Sequence, residues 1–263
     1  MIRLAVNGAA GRMGRRIVAL ASEASDFTLV CTLERLGHAD LGKDAGLVAG
    51  VGQLGVRIQD TVSGAPDVLL DFSSPDGCMA RAAECARLGI AVVIGTTGLS
   101  EEQGAKIRSE VAAKVPVLIA PNMSVGVNLL CALTGQVAAA LGEEYDVEIV
   151  EMHHRRKKDA PSGTALQLAR CVCEGLSWDG SQALVYGRQG VTGERPHRQI
   201  AVHAVRGGDV VGDHTVIFAG EGERIELTHR ASSRDVFVRG ALRAARFLAG
   251  RPAGLYGMKD VLS

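Results

Sequence analysis

Residues 2–21 read IRLAVNGAAGRMGRRIVALA, and this stretch decides the fold. Ile2 to Asn7 is a short apolar run that predicts a buried strand. Ile17, Val18, Leu20 and Ala21 then recur at helical spacing. Between them lies GAAGRMG, a strand-to-helix turn whose glycines Gly8, Gly11 and Gly14 allow a tight bend. They also let a pyrophosphate approach the backbone and let the helix pack against the strand. The spacing is GxxGxxG rather than the more common GxGxxG, and a purely structural turn is the competing explanation.

Working outward, Thr28 to Leu33 makes a second strand that ends at Glu34 and Arg35. A carboxylate there suits ribose hydroxyls, and a neighbouring guanidinium suits the extra phosphate of NADP. Three more strand–helix repeats follow, at VLLDF (68–72), AVVIG (91–95) and VPVLIAP (115–121). Strands alternating with helices predict an α/β fold with a doubly wound parallel sheet of Rossmann type. Ligands of such sheets sit at the carboxyl ends of the strands, which singles out Phe72, the GTTG run from Gly95, and Ala120 to Met123. Residues 40–59 are glycine-rich and read as a loop with at most a short helix.

From Ser124 the pattern changes to a long apolar helix and then to β-rich segments: QIAVHAV, VVGDHTVIFA and RIELTHRA. Glycines 207, 208, 212, 220 and 222 punctuate them as hairpin turns. This predicts a second, α+β domain on a mixed or antiparallel sheet. The expected division is 1–123 with 235–263 for dinucleotide binding, and 124–234 for substrate binding and oligomerisation. The sheet's open face is a candidate subunit interface.

Composition excludes several classes. Twenty-nine basic residues balance twenty-nine acidic ones, and aromatic residues make up 3% of the chain. Neither a global field nor a stacking platform favours nucleic acid. The apolar runs read as shorter than a membrane span, and the N-terminus reads as a strand rather than a signal peptide, so a cytoplasmic protein is expected. The six cysteines lack paired CxxC spacing and no HExxH occurs, so no metal is expected.

The densest chemistry lies at 151–165, EMHHRRKKDAPSGTA, between the strand DVEIVEM and a helix capped by Asp159 or Ser162. Gly163 and Thr164 can present helix N-terminal amides to a small anion. His153 and His154 stand beside Arg155, Arg156, Lys157 and Lys158 and can carry a proton near neutral pH. The run resembles the signature of the dihydrodipicolinate reductase family of lysine biosynthesis. The resemblance extends in order to GAAGRMG, LER, GTTG, APNMSVGVN, RGGDVVGDHT and GLYGMKDVL.

It implies reduction of a heterocyclic dicarboxylate by NADH or NADPH, and assembly as a homotetramer. It implies that Gly8, Gly11, Arg12, Met13, Gly14, Glu34 and Arg35 bind the cofactor, and that Gly95, Thr96, Thr97, Ala120, Asn122 and Met123 touch its nicotinamide half, where Met123 replaces an aromatic residue found in many relatives. His153 is the expected proton donor. Lys157 is expected to hold a substrate carboxylate and is the other candidate for the acid. His154, Gly163 and Thr164 are expected to complete the dicarboxylate site, and the four cations to lower the His153 pKa. Arg206 is a further residue able to reach the site, whereas His203, His214 and His229 read as structural.

Two other readings stay open. A semialdehyde dehydrogenase would need an activated cysteine, which Cys131 inside an apolar helix does not supply. A non-enzymatic nicotinamide-binding protein would not need the histidines.

Overall fold

The computed structural model describes residues 1–263, which fold as two compact units, Met1–Val125 with Asp235–Ser263, and Gly126–Arg234. In chain order the first unit contains β1 (Ile2–Asn7), α1 (Arg12–Glu23), β2 (Phe27–Leu33), α2 (Ala45–Ala49), β3 (Ile58–Gln59), β4 (Val68–Asp71), α3 (Pro75–Leu88), β5 (Ala91–Ile94), α4 (Glu101–Lys106) and β6 (Pro116–Ile119). The long helix α5 (Val125–Leu141) opens the second unit, followed by β7 (Asp146–His153), α6 (Gly163–Leu176), α7 (Gly180–Ala183), β8 (Leu184–Val185), β9 (Ile200–Arg206), β10 (Gly212–Ala219) and β11 (Arg224–Ala231). The chain then returns to the first unit as α8 (Asp235–Leu248), β12 (Gly254–Tyr256) and α9 (Met258–Leu262).

The first sheet runs β12-β6-β5-β4-β1-β2-β3, with every neighbouring pair parallel. Its strands are apolar on both faces because both faces are covered. Leu4, Val6, Val68 and Leu70 pack with residues of α1 and α8. Ala5 and Leu69 point the other way, among Cys78, Ala82 and Cys85 of α3. Local signals set the helix starts: Ser74 caps α3 with Pro75 in its first turn, and Ser100 and Gln103 form a capping box on α4. The strand order reverses between β1 and β4, the position at which such sheets open a ligand crevice.

The second sheet runs β11-β10-β7-β9-β8. β7 is central, parallel to β9 and antiparallel to β10. Only part of the hairpin expectation holds. Residues 220–223 do join antiparallel β10 and β11, but β9 and β10 flank β7 instead of pairing. A turn glycine reverses the chain locally and leaves the partner strand to be chosen by packing. Val147 and Ile149 supply that packing, facing Leu168, Ala169 and Val172 of α6.

The expectation about apolar runs is also corrected. The helix from Val125 through Glu144 spans 20 residues with a mean hydropathy of 1.6, long and apolar enough by length and composition to cross a membrane. Its Leu130 and Ala138 belong to the core of the second unit, whereas its Leu129 and Leu133 are exposed. All six cysteines are free thiols.

Candidate functional site

In the first unit the glycine loop is shaped by what it lacks. Gly8 has φ +77°, and a Cβ on it would lie 2.4 Å from the carbonyl oxygen of Phe72. A Cβ on Gly14 would lie 2.1 Å from the oxygen of Gly8. Side chains at either position would push the loop off the sheet. The N-cap of α1 is Gly11, which offers no side-chain cap, so the first-turn N–H groups are left for a ligand. Glu34, just past β2, reaches this loop, its Oε1 accepting from the Ala10 N–H at 3.0 Å. Arg12 and Arg35 are exposed, and Met13 is half-buried. A bare glycine cradle, an uncapped helix start and a nearby carboxylate fit a dinucleotide.

At the carboxyl ends of β1, β4 and β5 a buried network links the neighbouring loops. Asp71 accepts from Asn7 Nδ2 at 2.6 Å, from Ser73 Oγ at 2.9 Å and from Thr96 Oγ1. Thr96 in turn accepts from the Ser73 N–H at 2.8 Å. Gly95 lies against the Phe72 ring, where a Cβ would come within 2.3 Å of it. Thr97 is exposed, Asn122 is half-buried, and Ala120 and Met123 are buried. The expected nicotinamide-side residues thus belong to one unit and one end of its sheet.

In the second unit the alternation of β7 carries Val147, Ile149, Glu151 and His153 on its buried face. The core stripe therefore ends in a carboxylate and an imidazole. Glu151 is fully buried and His153 is 9% exposed. His153 Nδ1 lies 2.6 Å from Glu151 Oε2. Register brings the other partners: Arg206 stands opposite His153 across β9, and His214 opposite Glu151 across β10. Arg206 donates Nη1 to Glu151 Oε2 and Nη2 to Oε1, both at 2.8 Å. The Ser162 N–H donates to Oε1 at 2.9 Å. His214 meets the His153 ring edge-on with centroids 5.1 Å apart, and its Nε2 is 3.0 Å from Ser162 Oγ.

Burial lowers the His153 pKa, and Lys157 and Arg206 lower it further, while the bond to Glu151 opposes them. The direction is the one expected from sequence, but burial is the largest cause, and of the four neighbouring cations Lys157 is the one that acts. Arg155, Arg156 and Lys158 are exposed, and water screens their charge. Burial also pushes the Glu151 carboxyl up, but the bonds from Arg206, His153 and Ser162 outweigh it and leave the net shift downward. Burial, helped by neighbouring His153, holds His214 at about 4.

Lys157 lies 2.7 Å from Asp159. His154 Nδ1 is buried without a hydrogen-bond partner, an acceptor or donor that a ligand would satisfy. Gly163 opens α6, with nothing within 4 Å of where its Cβ would be, and Thr164 follows it. From sequence, Glu151 has no role and His214 reads as structural. The signal that could have found them is the two-residue alternation of β7 and β10, which puts each on a core face.

The family model described as dihydrodipicolinate reductase, N-terminus, matches residues 2–123, and that of the C-terminus matches 126–262. The chain is 54% identical over 265 residues to the 4-hydroxy-tetrahydrodipicolinate reductase of Anaeromyxobacter sp. (strain Fw109-5), covering 100% of this chain and 98% of that one. It is 49% identical to the same-named protein of Geobacter metallireducens, covering 100% and 99%. The dipicolinate-bound dihydrodipicolinate reductase from Paenisporosarcina sp. TG-14 superposes with a TM-score of 0.78 at 26% identity, covering both chains completely. The chain belongs to the dihydrodipicolinate reductase family, whose members are oxidoreductases that use a nicotinamide cofactor.

Proposed function

We infer that the chain is an NAD(P)H-dependent 4-hydroxy-tetrahydrodipicolinate reductase, forming tetrahydrodipicolinate on the diaminopimelate route to lysine. The observation that carries the reading is His153, a nearly buried imidazole held at one nitrogen by a buried carboxylate, within the motif that matches the family. When bound, the nicotinamide cofactor supplies the hydride that the substrate gains at C4, as water is lost.

The residues of this chain bind and manage the proton. Gly8, Gly11 and Gly14 admit the pyrophosphate to the start of α1, flanked by Arg12 and Met13. Glu34 takes ribose hydroxyls, and Arg35 pairs with the extra phosphate when the cofactor is NADPH, so both NADH and NADPH serve. Phe72, Gly95, Thr96, Thr97, Ala120, Asn122 and Met123 line the nicotinamide side. In the second unit Lys157 and His154 hold the carboxylates of the dicarboxylate substrate, with the amides of Gly163 and Thr164. His153 donates the proton.

The enzyme acts in the cytoplasm as a homotetramer joined through the open face of the second sheet. What supports that face is the exposed apolar side chain of Val205, on the same side of the sheet as the Thr215–Thr228 pair.

The test is a coupled assay that follows loss of NADH or NADPH absorbance with the dihydrodipicolinate synthase product. Both cofactors should be consumed. His153→Gln should lower kcat by about 10² to 10⁴, with binding of pyridine-2,6-dicarboxylate retained. No consumption of either cofactor would overturn the assignment.

A further inference from the structure

An imidazole acts as an acid only if the transferable proton sits on the nitrogen that faces the substrate. We propose that Glu151 and Arg206 are positioning residues for that proton: the Glu151 carboxylate holds Nδ1–H of His153, so that Nε2 gains and delivers the proton, and Arg206 fixes the carboxylate. The proposal rests on the reading of His153 as the acid.

Glu151 Oε2 receives His153 Nδ1 and Arg206 Nη1, and Oε1 receives Arg206 Nη2 and the Ser162 N–H. Four donors around a fully buried group leave the carboxylate no other orientation. An ionised carboxylate only accepts, so Nδ1 must carry hydrogen in both the neutral and the charged ring. The proton that comes and goes is therefore the one on Nε2. That nitrogen faces Gly212, where a Cβ would lie 2.9 Å from it. Arg206 also donates to the Asp159 carbonyl at 2.7 Å, tying the same guanidinium to the loop that carries Lys157.

The charged and titratable groups around the ring come from every side. Glu151 lies on its own strand, Lys157 on the following loop, Arg206 on β9 and His214 on β10. Burial and the two cations disfavour imidazolium, and Glu151 alone favours it. Burial, and then His153, hold His214 at about 4, so near neutral pH it adds no charge beside the ring. Glutamine at 151 would break this logic. Its single oxygen is claimed by Arg206 and Ser162, and Nδ1 is the one partner able to accept from its amide. The neutral ring would then carry its proton on Nε2, and the charged ring would set Nδ1–H against an N–H. In hydrolases with an aspartate behind the catalytic imidazole, the equivalent amide costs about 10⁴ in rate through this tautomer change.

The experiment is nitrogen-15 NMR of histidine-labelled, full-length protein without ligands, with His153 assigned by its loss in His153→Gln. In the wild type the neutral ring should be protonated at Nδ1. In Glu151→Gln it should be protonated at Nε2, and should titrate at lower pH. A wild-type ring protonated at Nε2, or an unchanged tautomer in the variant, overturns the proposal. If Glu151→Gln does not fold, the wild-type spectrum still decides.

Kinetics give the second readout. Glu151→Gln should lose about 10² to 10⁴ in kcat with KM little changed, and the alkaline decline of kcat should move to lower pH. The double variant with His153→Gln should be no slower than His153→Gln, whereas a purely structural role would make it slower still. If His153→Gln alone kept the wild-type rate, the acid assignment would fall, and with it the catalytic part of this proposal, while the spectra would still judge the tautomer.

Discussion

Asp71, at the end of β4 in the first unit, and Glu151, near the end of β7 in the second, are almost equally hidden from water, at 1% and 0% exposure, yet their partners differ in kind. Asp71 receives an amide and two hydroxyls, from Asn7, Ser73 and Thr96, donors that do not titrate near neutrality. They come from the ends of three adjacent strands, so the carboxylate fastens the loops at the switch point of the sheet. Glu151 receives a guanidinium and an imidazole. Uncharged donors make a buried carboxylate a fastener, whereas an arginine and a histidine make it the control on where a proton sits. The same contrast governs Cys78: burial, and then Asp71 beside it, push its thiol pKa up, so it packs without reacting.

The comparison breaks most visibly if Asp71 is removed. Asp71→Ala would take the acceptor from the buried Thr96 hydroxyl and leave the Asn7 amide only Ser73 Oγ, at 3.2 Å, at about 1–3 kcal/mol each, so a total loss of roughly 2–6 kcal/mol is expected. A lower urea midpoint measures it. The KM for cofactor should rise as the Phe72 and Thr96 loops loosen, while the pH profile of kcat stays that of the wild type. A shifted profile would mean that Asp71 also acts on the proton.

His214 provides the second test, and here the sign matters. Its folded pKa of about 4 lies below the ordinary 6.5, so between those values the unfolded chain binds more protons. Its contribution is fully present above about pH 6.5 and is lost as pH falls towards 4, to a total of about 3 kcal/mol. His214→Gln keeps a polar partner for Ser162 and removes the titration. The variant should therefore lose stability less steeply than the wild type between pH 7 and about 4.5, and Asp71→Ala should keep the wild-type steepness. Identical slopes for the wild type and His214→Gln would show that His214 protonates without cost.

The first sheet was legible because strands buried on both faces are continuous apolar runs, and because Ser74, Pro75 and Ser100 mark helix starts locally. The second sheet was only partly legible. Nothing local to Gly207 and Gly208 says that β9 will bond to β7 rather than to β10. In the site, density of chemistry pointed to His153, His154 and Lys157. Adjacency in sequence misled about charge, since Arg155, Arg156 and Lys158 turn to solvent, while Arg206, fifty-three residues beyond His153, lies across the strand from it. Glu151 and His214 look like ordinary strand residues until the phase of the alternation is known, and that phase is set by packing against α6.

The smallest effect concerns the nitrogen on the other side of the His153 ring. Gly212 begins β10, where it pairs with Ala231, and its φ is not in the left-handed region, so alanine is acceptable to the backbone. The added methyl would sit 2.9 Å from His153 Nε2 and 3.3 Å from Cδ2, and something must yield. A free side chain would swing aside, but this ring is tethered at Nδ1. It can only tilt, moving Nε2 from its working position. A loss of about tenfold in kcat is expected, equivalent to about 1.4 kcal/mol, with the urea midpoint nearly unchanged. Gly207→Ala is the control, because its methyl meets only the flexible end of Met152, at 3.2 Å, and should leave kcat alone. The sharper measurement repeats Gly212→Ala in the Glu151→Gln background. With the tether gone the ring can move out of the way, so the methyl should cost clearly less than it does in the wild type. If the two losses simply multiply, the ring was never held by Glu151, and the distinction between the fastening carboxylate and the controlling one disappears.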